Sequence, residues 1–168
     1  MSAKKTSMHN YIALLKIEDM NVGGVYENEL HCSLVLWFKT TANRDELIRV
    51  CNSVLRDRKP VALKAIGTED FGKKSPLLAT LIEKNGALAK MHNDMIDELE
   101  KLPGFSLFEP QFSRDAWRPH VTFQNNRSLK ENEVVVTSSV YLVEASGDPI
   151  ADPKHVFAEV KFGHETTA

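Results

Sequence analysis

Residues 30–38 read Leu-His-Cys-Ser-Leu-Val-Leu-Trp-Phe, and residues 119–123 read Pro-His-Val-Thr-Phe. Both contain histidine, a spacer, a hydroxyl residue and an apolar residue: His31-Cys32-Ser33-Leu34 and His120-Val121-Thr122-Phe123. Their β-branched and aromatic content predicts strands over 30–38 and 120–124. Side chains alternate along a strand, so His31 shares a face with Ser33, and His120 with Thr122. Cys32, Leu34, Val121 and Phe123 then form the core-facing rows. Two chance matches among six histidines have odds of roughly 3% in this composition. The partial match His164-Glu165-Thr166 lacks the apolar follower and reads as noise.

Working outward, Tyr11 to Ile17 is a mostly apolar run that predicts a well-buried strand. Glu18 to Glu29, with Gly23-Gly24, predicts a loop. Asn43 followed by Glu46 marks a helix start, and Leu47, Val50, Cys51, Val54 and Leu55 give that helix one apolar face. Pro60 stops it. Strands are expected at Val61 to Ile66, Leu77 to Ile82, Val134 to Glu144 and Val156 to Phe162, and a second helix at Gly86 to Lys101. The order β-β-α-β-β-α-β-β-β is α+β, with mostly antiparallel sheet and two outer helices. The length suits one domain over 1–168, with an ordered core of about 10–163 and disordered ends.

The chain carries 21 Lys and Arg against 23 Asp and Glu, a formal net charge of −2. That argues against a sequence-independent binder of duplex DNA, which needs a large positive excess. A nucleotide or short oligonucleotide needs only a local basic patch. The two cysteines, Cys32 and Cys51, are too few for a disulfide framework and lack metal-ligand spacing, so a cytoplasmic protein is expected. No apolar run approaches the ~20 residues of a membrane span, and the first ten residues lack the apolar stretch of a signal peptide. A monomer is the default expectation.

The repeated motif suits phosphoryl chemistry. Cleaving a phosphodiester needs a base for the attacking oxygen and an acid for the leaving oxygen, and histidine serves as either near neutral pH. Two hydroxyls donate to the non-bridging oxygens. No metal is required, and the sequence shows no compact ligand cluster.

With these motifs, the opening strand YIALL (11–15) and Pro119, the chain resembles the two-histidine (2H) phosphoesterases, in particular the LigT-like or 2′-5′ RNA ligase-like proteins. The resemblance implies two pseudo-symmetric lobes of antiparallel sheet with outer helices around a central cleft, each lobe giving one motif strand. It implies that His31 and His120 are the acid/base pair and that Ser33 and Thr122 bind the phosphate. Serine rather than threonine at 33 is a departure that loses one methyl group. The implied activity is a cofactor-free, metal-independent phosphodiesterase, with RNA ligation not expected to dominate. Implied substrates are 2′,3′-cyclic phosphates, 2′-5′-linked and cyclic oligonucleotides. The alternative is a non-catalytic module that holds a nucleotide or RNA end. The choice of bond, the assignment of acid and base, and the setting (RNA processing or phage counter-defence) stay open.

Three further residues are candidate substrate contacts. Trp117 and Arg118 precede the second motif, where an aromatic ring could stack a base and a guanidinium could neutralise a phosphate. The plain alternative is a hydrophobic lid and a surface charge. Tyr11 either faces the cleft or is a core tyrosine with its hydroxyl at the rim. Cys32 is expected to be a buried structural thiol, and His92 a boundary residue on the second helix.

Overall fold

A computed structural model describes residues 7–72 and 74–163. Among these, nine strands form two antiparallel sheets. β1 (His9–Lys16), β2 (His31–Thr40), β5 (Ser106–Leu107), β8 (Ser139–Ala145) and β9 (Lys154–Lys161) make a five-stranded sheet in the order β5-β2-β1-β8-β9. β3 (Val61–Asp70), β4 (Leu78–Ile82), β6 (His120–Thr122) and β7 (Val134–Thr137) make a four-stranded sheet in the order β6-β4-β3-β7.

α1 (Arg44–Leu55) starts at Asn43, whose side chain accepts from the Glu46 amide while the Glu46 carboxylate accepts from the Asn43 amide. That reciprocal cap satisfies two otherwise orphaned N–H groups. Leu47, Cys51, Val54 and Leu55 form its buried face. α2 (Gly86–Leu99) is capped by Asn85 and buries Leu88, Met91, Met95, Ile96 and Leu99. These residues share one core with Leu15, Cys32 and Leu34 of the first sheet and with Leu63, Ala65, Ile82 and Val121 of the second. The opposite face of the first sheet packs Ile12, Leu14, Met20, Tyr141 and Val143 in a smaller cluster, so Tyr11–Leu15 is buried on both faces.

Three expectations are corrected. Val134 to Glu144 is two strands: β7 pairs with β3 in one sheet, Ser138 turns, and β8 pairs with β1 and β9 in the other. Each half alternates correctly, and only long-range pairing reveals the change of sheet. Within the supposed 104–118 loop, Ser106 and Leu107 pair with Lys39 and Phe38 as β5. His9, placed outside the ordered core, begins β1 opposite Thr40 and bonds the Glu144 carboxylate through Nδ1 at 2.8 Å. The rest of the supposed disordered ends, 1–6 and 164–168, lies outside the described residues. No described helix is long and apolar enough to cross a membrane.

Candidate active site

Each motif occupies a strand edge. β5 pairs only with Phe38 and Lys39, so the His31 end of β2 has an unpaired outer edge. β6 is the edge strand of the other sheet. The burial pattern along each is the alternation its sequence requires: His31 and Ser33 are half-buried around buried Cys32, and His120 and Thr122 around buried Val121. Phe123 lies past the end of β6 and is half-buried rather than in the core.

The two edges face each other. The Cys32 thiol meets a hydrogen bond from the His120 backbone, and burial pushes the thiol up to about 12. It is therefore an inert structural cysteine. Burial, with the nearby charge of His120 adding to it, holds the His31 imidazole below the ordinary histidine value, against the opposing effect of the Glu29 carbonyl.

The histidines are oriented alike. Nδ1 of His31 lies 2.9 Å from the Glu29 carbonyl, and Nδ1 of His120 lies 2.8 Å from the Arg118 carbonyl. A carbonyl only accepts, so each Nδ1 carries the proton and donates to the residue two positions upstream. That leaves each Nε2 as the free basic atom. Tyr26 packs edge-on against His31 with centroids 5.3 Å apart, and Phe71 packs on His120 at 4.8 Å. The Ser33 and Thr122 hydroxyls have no hydrogen-bond partner among the described residues. On these facing strand edges each Nε2 can take up a proton when neutral or give one up when the ring is charged, and two free hydroxyls can donate to an oxyanionic group. Among the described residues, no three His, Cys, Asp or Glu side chains converge as metal ligands.

No family model and no curated protein matches the chain. Solved structures do match in fold. TT0787 of Thermus thermophilus superposes with a TM-score of 0.53 at 19% identity, covering 81% of this chain and 80% of that one. E. coli LigT complexed with ATP superposes with a TM-score of 0.58 at 9% identity, covering 93% and 98%. A structure described as a phosphoesterase gives 0.58 at 10% identity, covering 94% and 99%.

The chain has the LigT fold.

Within this LigT-like frame, two sequence candidates leave the site. Tyr11 is fully buried, packs on Phe38 and Phe157, and donates its hydroxyl to the Ala42 carbonyl at 3.0 Å. It is a core tyrosine with a satisfied polar end, because β1 is covered on both faces. Trp117 is 2% exposed and stacks flat on His92, with centroids 4.3 Å apart and planes at 5°. The chain turns inward there and commits the indole to packing, which leaves no face for a base. Arg118 does stand at the site, exposed, paired with Glu69 at 2.7 Å and lying over the Phe71 ring at 5.2 Å.

Sequence reasoning missed two supports of the candidate site. The first is His92, which is buried, not a boundary residue. Its Nδ1–H donates to the Leu34 carbonyl at 2.7 Å, satisfying an acceptor on the unpaired edge of β2. Its Nε2 accepts from the Arg114 amide at 2.9 Å. One ring thus ties the first motif strand to the segment that feeds the second. The available signal was a histidine within the apolar row of α2, with Leu88, Met91 and Met95.

The second support is a clamp. Arg127 donates to both carboxylate oxygens of Glu18, at 2.8 and 3.2 Å, and to the Asn28 carbonyl at 3.1 Å. Glu18 also accepts from the Leu30 amide at 2.7 Å, one residue before His31. Arg127 is set by a tight turn in which Asn125 and Asn126 both have positive φ, a conformation asparagine tolerates. The clamp fastens the chain leaving the second motif to the chain entering the first. Because the two side chains share an ion pair, the Arg127→Ala, Glu18→Ala double variant is expected to lower the melting temperature by less than the sum of the two single variants. Additive losses in that cycle would show that no such coupling exists.

Proposed function

We propose that the protein is a two-histidine phosphodiesterase acting on nucleotides or short oligonucleotides with 2′,3′-cyclic, 2′-5′ or cyclic linkages. The observation that carries this is the matched orientation of His31 and His120, each with Nδ1 committed to a backbone carbonyl and Nε2 free. One Nε2 removes the proton from the attacking oxygen as it bonds to phosphorus. The other enters the step as imidazolium, protonated on Nε2 as well as Nδ1, and delivers its Nε2 proton to the departing oxygen as that oxygen's bond to phosphorus breaks. Ser33 and Thr122 donate to the non-bridging oxygens, where negative charge grows. Arg118, exposed beside Phe71, is the candidate cation for a substrate phosphate. That E. coli LigT has been crystallised with ATP and with 3′-AMP favours a nucleotide ligand over other phosphodiesters. A single domain and a monomeric, cytoplasmic enzyme complete the reading.

We assign the base role to His31, because burial favours its neutral form, with the lone pair on Nε2 available. The deciding assay offers adenosine 2′,3′-cyclic phosphate, 2′-5′ oligoadenylate and cyclic dinucleotides in excess EDTA. Hydrolysis supports the enzyme, whereas binding without turnover of any of them leaves only a nucleotide-holding module. The pH–rate profile follows from the same assignment. The rate is expected to rise with pH through a value below ~6.5, the ordinary histidine value, as His31 loses its proton. A rising limb above that value would remove His31 from the base role.

A further inference from the structure

The His31 face of the first sheet continues beyond the histidine as a row of polar residues. Lys16 pairs directly with His31 across β1 and β2, so the two side chains leave the same face as neighbours. Leu15 pairs with Val140, which sets Lys16 level with Ser139 on β8. Ser139 in turn pairs with Lys161 on β9. His31, Lys16, Ser139 and Lys161 therefore stand side by side, with Lys161 three strand spacings, roughly 14 Å, from the histidine.

The row enters a cavity of about 370 Å³ where the chain crosses between sheets. Lys16, Ser139, Glu159 and Lys161 line it from the first sheet, and Val136 and Ser138 from the crossover. Glu159 is occupied: it accepts from Lys16 at 3.1 Å and from the Ser139 hydroxyl at 2.8 Å. Lys161 is exposed and has no ion-pair partner among the described residues, and the exposed Ser138 hydroxyl has none either. Val136 is 66% exposed on the face of β3 and β7 turned away from the core. Past a bulge after Ala65 that face carries Gly67, which pairs with Leu81, and Leu81 pairs with His120. Both walls of the cavity thus continue into the two catalytic edges.

We propose that this cavity is a second nucleotide subsite, taking the unit next to the scissile phosphate: its phosphate on Lys161 and the Ser138 hydroxyl, its sugar or base against Val136. The substrate would then carry at least two nucleotides, rather than being a mononucleotide. The inference rests on the phosphodiesterase reading for what lies between the histidines, but its test reads binding alone.

The test uses the full chain as His120→Ala, titrated calorimetrically with 2′-5′-linked adenylate trimer and with adenosine 2′,3′-cyclic phosphate. The trimer is expected to bind at least ~10-fold more tightly, the scale of one charge-assisted phosphate contact. Adding Lys161→Glu or Val136→Asp, both exposed positions, should remove most of that advantage. Equal affinities for the two probes, an unbound trimer, or an advantage that survives both substitutions would overturn the subsite. A protein that shows the trimer advantage but, with its histidines intact, hydrolyses none of the substrates keeps the subsite and loses the phosphodiesterase reading.

Discussion

Alanine at either His31 or His120 is expected to lower kcat by about 10²–10⁴-fold, the usual contribution of one positioned acid or base, if the proposed phosphodiesterase reading holds. The expectation depends on each Nε2 serving one oxygen of the same phosphate. Because the two act in one step, the double variant should cost little more than the worse single variant, as coupled catalytic groups are strongly non-additive. His31 and His120 are half-buried, and alanine at either removes one hydrogen bond from Nδ1 and one ring contact, to Tyr26 or Phe71, so both variants should fold. Ser33→Ala and Thr122→Ala should be milder, at about 10–1000-fold, because each removes one donor to the developing charge. Steady-state rates on whichever cyclic or 2′-5′ substrate the protein turns over provide the check. A histidine variant within twofold of the parent enzyme would remove that residue from the reaction.

His92→Phe is the second large effect, and it falls mainly on stability. Phenylalanine keeps a ring for Trp117 to stack on but leaves the Leu34 carbonyl and the Arg114 amide without their partner. The buried Leu34 carbonyl and the part-buried Arg114 amide, left unsatisfied, cost about 2–4 kcal/mol, to be measured by urea denaturation at pH 7.5. The damage should reach catalysis, since Arg114 lies on the segment that delivers Trp117, Arg118 and then His120. A loss of about 10–100-fold in kcat is expected if that segment shifts by a fraction of an ångström to about one.

The same ring predicts a pH dependence. Burial is the main reason His92 resists protonation when folded, helped by the positive charges of Lys84 and Arg114. The unfolded chain takes up that proton near the ordinary value of ~6.5. The stabilisation by neutral His92 is therefore complete above that value and is lost as pH falls through the lower folded value. The stability gap between the parent protein and His92→Phe should narrow on acidification over that window. A gap that stayed constant from pH 7.5 to pH 5 would mean that folding does not lower the affinity of His92 for its proton.

The facing of the two histidine-hydroxyl motifs was legible because a strand is a local object with a period of two. Once residues 31–34 and 120–122 are strands, the faces of His31, Ser33, His120 and Thr122 follow from counting. The capped start of α1 at Asn43 was legible for the same reason, since all of its partners lie within four residues. Tyr11 was ambiguous because a strand's sequence does not say whether one of its faces or both will be covered. The break at Ser138 was invisible, since the residues before and after it alternate equally well in either sheet. His92 was misplaced because its two acceptor and donor partners lie 58 and 22 residues away.

The amino-acid sequence alone determined the α+β class, the two repeated tetrapeptides and the side of each strand on which they stand, because all of these depend on spacing along the chain. Tertiary structure alone decided that the two strand edges meet, that Trp117 packs inside, that Glu18 and Arg127 fasten the two motif segments together, and that Lys16 and Lys161 extend the His31 row. Those outcomes depend on which distant strands pair, and that is set by the free energy of burying the shared core rather than by any local pattern.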